Sequence, residues 1–150
     1  MNARELPQYR DVVRNLTPIL DDLPGKLIAI DGRSGVGKTT LGRYLSWRFN
    51  ISLVESDLFL IPNQGRLIYL NEAISLAIKS RIETPRPVIV DGVAVRRLLD
   101  ELTFKPNYVI YVSSDDAPES SSLRNEIASY EAVYDPKASA NLAIDIAIPL

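Results

Sequence analysis

Two hydrophobic periods alternate along this chain. Short apolar runs of strand character, Leu27-Ile28-Ala29-Ile30, Ile51–Glu55, Val88-Ile89-Val90, Tyr108–Val112 and Leu142–Ile148, are separated by stretches whose apolar residues recur at helical spacing. Residues 4–22 place Val12, Val13, Leu16, Ile19 and Leu20 on one face and meet a stop at Pro24-Gly25. Residues 38–49 do the same with Leu41, Tyr44, Leu45 and Phe49, and residues 67–81 with Leu67, Leu70, Ile74, Ala77 and Ile78. Two further helices are predicted, over 93–102 and near 119–132. The segments Ile61-Pro62-Asn63-Gln64-Gly65 and Ser113–Ser122 have loop composition. Strand runs without polar alternation are those covered on both faces, so the order predicts an α/β fold. Its form is three layers, a parallel sheet of about five strands with helices on both sides. No internal repeat is visible.

Composition narrows the chemistry more than the fold. With 150 residues, 46% hydrophobic and 24% charged, the chain has the make-up of one globular domain. A net charge of −2 gives no general attraction for nucleic acid, so none is expected as a partner, and any polyanion site must be local. There is no Cys and no His. That excludes disulfides, thiolate zinc sites, a cysteine nucleophile and a Ser-His-Asp triad, and leaves proton transfer to carboxylates or lysine. No signal pattern opens the chain and no apolar stretch approaches a membrane helix, so the expected setting is cytoplasmic, without a membrane partner.

The sharpest local signal is Gly32-Arg33-Ser34-Gly35-Val36-Gly37-Lys38-Thr39-Thr40, directly after the first strand run and Asp31. It contains G-x-x-x-x-G-K-T, the Walker A pattern of a phosphate-binding loop, in the strand-to-helix setting such a loop requires. Backbone N–H groups must wrap a phosphate there, Lys38 reaches the β- and γ-phosphates, Thr39 offers a hydroxyl to Mg²⁺, and the following helix aims its positive end at the anion. ATP and Mg²⁺ are the implied ligands. Residues 26–148 then form a nucleotide-binding core, preceded by the amphipathic helix within 1–24, in one domain spanning 1–150.

Ligands in parallel sheets bind beyond the carboxyl ends of the strands, and Asp31, Asp57, Asp91 and Asp115 all fall at or just past such ends. Asp91 follows an apolar run as a Walker B acid does, which would hold Mg²⁺ beside Thr39; capping the next turn is its other reading. Asp57 lies where an acceptor hydroxyl would approach the γ-phosphate and is the candidate base, against a turn or N-cap role. Asp31 could serve the magnesium waters or a backbone donor. Arg33 could touch nucleotide or only solvent, and Arg96 and Arg97 an acceptor phosphate or only solvent. Arg124 follows the polar tract, where a lid would bring a guanidinium over the transferring group. Phe59 and Tyr69 could line a ring site, although such spacing is more often core.

With these motifs in place the sequence resembles the uridine kinase-like branch of P-loop kinases. The likeness rests on the loop Asp31–Thr39, on Asp57 within Glu55-Ser56-Asp57-Leu58-Phe59, on Asp91-Gly92, and on Tyr130-Glu131-Ala132-Val133-Tyr134-Asp135-Pro136 followed by Asn141–Asp145. The resemblance implies ATP-dependent transfer to a hydroxyl of a nucleoside-like, sugar or vitamin-like acceptor, with Asp57 as base, Lys38 and Thr39 holding ATP and magnesium, and the closing segment near the nucleotide base. The tract Ser113–Ser122 carries no arginine where the family's lids have several, and a nucleotide-binding regulatory protein with little turnover is the second reading. No Asn-Lys-x-Asp motif occurs, which speaks against a GTPase switch.

Overall fold

The computed structural model describes residues 5–115 and 123–146. Five strands, β1 (Leu27–Asp31), β2 (Ser52–Glu55), β3 (Val88–Asp91), β4 (Tyr108–Ser113) and β5 (Leu142–Asp145), form one sheet in the order β2-β3-β1-β4-β5. Every pairing is parallel. The most apolar strand, β1, is central and fully buried, as expected of a strand with a helical layer on each face.

The period-2 alternation of β1 divides the interior. Ile28 and Ile30 join a core with Val12 and Leu16 of α1 (Pro7–Leu16) and Leu41 and Leu45 of α2 (Lys38–Phe49). Leu27 and Ala29 face the other way, toward Ile74 and Ile78 of α3 (Asn71–Ile82) and Leu98 and Leu99 of α4 (Val95–Glu101). Each fully buried Leu or Ile is worth roughly 1.5–3 kcal/mol. Helices α5 (Arg124–Tyr134) and α6 (Pro136–Ser139) complete the described chain.

Three elements differ from the sequence expectation. The first helix, expected over 4–22, is regular only over Pro7–Leu16, because Pro18 has no N–H to continue the ladder. Turns beyond it still bury Leu20; residue 4 of that expectation lies outside the described residues. The helix expected from 67 begins at Asn71. Leu67–Leu70 instead pair backwards: Ile61 N–H donates to Ile68 O and Leu70 N–H to Phe59 O, both at 2.8 Å, with a Leu60–Tyr69 bridge. Local helical spacing lost there to a hairpin-like flap over 59–70. The strand expected over 142–148 runs Leu142–Asp145, and the helix expected near 119–132 is α5, with residues 116–122 and 147–150 outside the described ones. Phe59 and Tyr69 are half-buried against the α3/α4 core, which is the core reading rather than a ring site. Among the described residues no helix is long and apolar enough to cross a membrane.

Candidate nucleotide and acceptor site

The sheet order carries the carboxyl ends of β1, β2 and β3 side by side, and the loop 32–37 leaves β1 at the centre of that edge. Gly32 has φ +151° and lies so close to the Val112 carbonyl that a Cβ would collide with it. Gly37, at φ +101°, is the N-cap of α2, so the helix opens on Lys38 with its free N–H groups turned to the loop. Side-chain-free backbone at these points is what lets the amides converge.

Lys38 is buried, at 7% exposure, and its Nζ donates to the Arg33 carbonyl at 2.6 Å across the loop. Burial pushes its pKa down, opposed by the charges of Asp57, Asp31 and Asp91. Three carboxylates thus act on one ammonium, and the parallel order β2-β3-β1 brings all four groups to the same edge.

Asp91 at the end of β3 is 1% exposed, and its Oδ2 has no hydrogen-bond partner among the described residues. Its pKa is pushed up to about 6, mainly by burial and further by Asp57 and Glu55, while the Thr39 hydroxyl and Lys38 pull the other way. An orphaned buried carboxylate oxygen beside a hydroxyl is costly unless a further partner completes it. Among the described residues no group of three or more His, Cys, Asp or Glu could hold a metal by itself. One carboxylate plus one hydroxyl suits Mg²⁺, which keeps waters and takes phosphate oxygens for its remaining positions. The donor set fits that ion.

Asp57 sits in a 3₁₀ turn, Ser56–Phe59, directly after β2, and is exposed. Ser56 beneath it is fully buried, and its Oγ lies against Gly92, where a Cβ would collide with it. That close approach is the physical content of the acid-Gly ending of β3. Among the described residues Ser56 Oγ and the Tyr69 hydroxyl are also buried without a hydrogen bond, and burial, then the Asp57 charge, pushes Tyr69 up to about 12, against an opposing effect of Ser56.

Asp31 is not an open acid. Its Oδ1 accepts from the Gly32 N–H at 2.8 Å and its Oδ2 from the Tyr130 hydroxyl at 2.5 Å. The bond from the Gly32 N–H is the backbone-donor role that the sequence left open to it. Arg33 pairs with Glu131 of α5, its Nη2 2.8 Å from Oε1. Arg96 hydrogen-bonds Ser139 and lies over the Tyr134 ring, whereas Arg97 pairs with Glu126. Glu126 also accepts from the Leu67 N–H at 3.0 Å, so it joins α4, α5 and the flap. Arg124 opens α5 and lines, with Arg33, Ser34, Tyr111, Asp115 and Glu131, a groove of about 1000 Å³ beside the loop. Sequence reasoning missed Glu126 altogether, since a glutamate on a polar helical stretch carries no signal. Tyr130 was visible only as part of the closing segment.

No family model matches the sequence, and no curated protein does. Solved structures do. A "Possible Uridine Kinase from Bacillus stearothermophilus" superposes with a TM-score of 0.63 at 17% identity, covering 92% of this chain and 100% of that chain. Shikimate kinase from Acinetobacter baumannii, in complex with shikimate, superposes with a TM-score of 0.50 at 15% identity, covering 89% of each chain. At such identities the likeness is one of fold: a five-stranded parallel sheet flanked by helices, shared with these two kinase structures.

Proposed function

We propose that this chain is an ATP-dependent small-molecule kinase that transfers the γ-phosphate to an alcohol acceptor. The observation that carries the reading is the gathering of Lys38, Thr39, Asp57 and the orphaned carboxylate of Asp91 around one glycine-walled loop. The loop amides of 32–37 and Lys38 bind the phosphates, and the groove between the loop and α5 takes the base and sugar. Asp91 and Thr39 hold Mg²⁺, which when bound neutralises charge on the β- and γ-phosphates. Asp57 accepts the proton of the acceptor hydroxyl, whose oxygen forms the new P–O bond as the β–γ bridging P–O bond breaks and ADP leaves. Arg124, on the lip of the groove, closes over the transferring group. The exposure of Asp57 suits a residue that must meet a second substrate.

ADP release against a panel of nucleosides, sugars and cofactor precursors, with Lys38→Ala as the blank, tests this reading. One class of acceptor should stimulate release, since a kinase assembles its site on the acceptor rather than on water. Asp57→Asn should then keep ATP affinity near the parent's while kcat falls by roughly 10²-fold or more. ATP binding with no stimulation by any acceptor would point to a regulatory nucleotide-binding protein instead. Transfer at the parent rate in a folded Asp57→Asn variant would remove Asp57 as the base.

A further inference from the structure

Helix α5 reaches the first glycine of the loop through two buried hydrogen bonds. Tyr130 is 4% exposed and Asp31 1% exposed. The phenolic hydroxyl donates to Asp31 Oδ2 at 2.5 Å, and Asp31 Oδ1 takes the Gly32 N–H at 2.8 Å. The hydroxyl is a durable donor. Burial first, then the neighbouring Asp31, keeps the Tyr130 proton bound far above the usual phenol range. Asp31 is pushed up by burial, and the Tyr130 hydroxyl, the Gly32 N–H, Lys38 and Arg96 all favour its carboxylate form. With a hydrogen bond on each oxygen, Asp31 ties the Tyr130 hydroxyl to the Gly32 N–H. Gly32 is where the chain leaves β1 in a conformation few residues adopt, pressed against Val112, so the direction of its N–H sets the path of the amides that follow.

We propose that Tyr130 is a positioning residue of the phosphate loop: acting through Asp31 it fixes the Gly32 N–H, and thereby sets phosphate affinity from outside the loop. The proposal rests on the reading of 32–39 as a phosphate-binding loop. Its neighbour supplies a control on the same helix, with a hydroxyl bond that is exposed where that of Tyr130 is buried. Tyr134 lies one turn further along α5, stacks on Tyr130 with ring centroids 4.8 Å apart, and donates its hydroxyl to Asp100 at 2.5 Å, a residue of α4 and not of the loop. Removing either hydroxyl takes one hydrogen bond from the same helix and leaves the ring stack in place. Only one of the two bonds leads to Gly32.

Calorimetry with Mg·ATP, and separately with Mg·tripolyphosphate to isolate the loop from the base groove, tests the assignment. Tyr130→Phe should weaken both by about tenfold, a loss that loop misalignment produces and ring packing does not. Tyr134→Phe should leave both within about twofold of the parent. In an Asp31→Asn background, Tyr130→Phe should add less than about twofold, because the two residues act in series. Parent-like affinity in a folded Tyr130→Phe variant overturns the proposal, as does equal weakening by Tyr134→Phe, which would mean that α5 is merely anchored. Thermal melting checks the fold of each variant. Should Tyr130→Phe not fold, Asp31→Asn alone decides: its amide has a single acceptor oxygen for the two donors, so it can accept from the hydroxyl or from the Gly32 N–H but not from both, and unchanged affinity would overturn the proposal. A parent that binds neither probe retires the phosphate-loop reading itself, whereas a parent that binds both alongside an indifferent Tyr130→Phe retires only the role of Tyr130.

Discussion

At the residue scale the site holds two charges that folding disfavours. Lys38 is buried with its pKa pushed down, and Asp91 is buried with its pKa pushed up to about 6 and one oxygen left without a partner. The ordinary Asp carboxyl titrates near 3.8, so the folded pKa of Asp91 exceeds its unfolded one. The sign follows: ionisation costs the folded state more, the cost is absent below about pH 4, and it is fully present above about pH 6. A shift from 3.8 to about 6 corresponds to roughly 3 kcal/mol at most. Asp91→Asn should therefore raise the nucleotide-free melting temperature at pH 7.5, with the gain over the parent shrinking as pH falls through 6 toward 4. The same variant should need more Mg²⁺ and bind ATP less tightly, a trade of function for stability. A variant no more stable than the parent at pH 7.5 would show that Asp91 has a compensating partner in the protein. Sequence made these residues legible because a phosphate loop demands Gly, Lys and Thr at set places and an acid after an apolar strand. It did not reveal Tyr130 or Glu126, whose roles depend on elements far apart in the chain.

At the scale of elements, legibility tracked how local the determinants are. The bounds of α2, 38–49, coincide with the sequence reading, since Lys38 must follow the loop and Asn50, in a left-handed conformation, ends the helix. The start of α3 was misread because Leu67 and Leu70 have helical spacing, whereas the Leu70 N–H is claimed by the Phe59 carbonyl and the Ile68 carbonyl by the Ile61 N–H. Glu126 then holds the flap from the far side, accepting from the Leu67 N–H while pairing with Arg97. These are contacts across 59 and 29 positions of sequence, invisible to any periodicity. Glu126→Ala should free the flap without melting the sheet. Amide hydrogen exchange at Leu67, Leu70 and Ile61 should quicken by about tenfold, while exchange in β1 and α2 stays at parent rates. Unchanged exchange at Leu67 would mean that the hairpin pairing alone holds the flap. The Leu67 amide is the diagnostic one, because its bond is to Glu126 and not to the opposite strand.

At the scale of the whole molecule, the fold class followed from the alternation of strand and helix periods, but the strand order did not, because β3 returns to lie between β1 and β2 by tertiary pairing alone. Sequence placed α1 ahead of a core over 26–148 in the same domain without saying what it packs on; Tyr9, Val12 and Leu16 are buried in one cluster with Ile28 and Ile30 of β1 and with α2, which opens on the loop 32–37. Tyr44 of α2 also packs its ring 4.9 Å from that of Tyr9 and bonds Glu5 through its hydroxyl. A helix packed on β5 and buried in the same cluster as the central strand cannot melt alone without exposing that cluster to water. Leu16 is 0% exposed, so Leu16→Ala leaves a cavity there and should cost about 2–5 kcal/mol. Unfolding should remain a single cooperative transition, followed alike by Trp47 fluorescence and by far-UV circular dichroism. Below the lowered midpoint, each folded molecule should still bind Mg·ATP with the parent's affinity, since no loop group is touched. Two separate transitions in that variant, with α1 lost first and nucleotide binding retained, would divide the chain at about residue 25 and make α1 an accessory to a self-sufficient core.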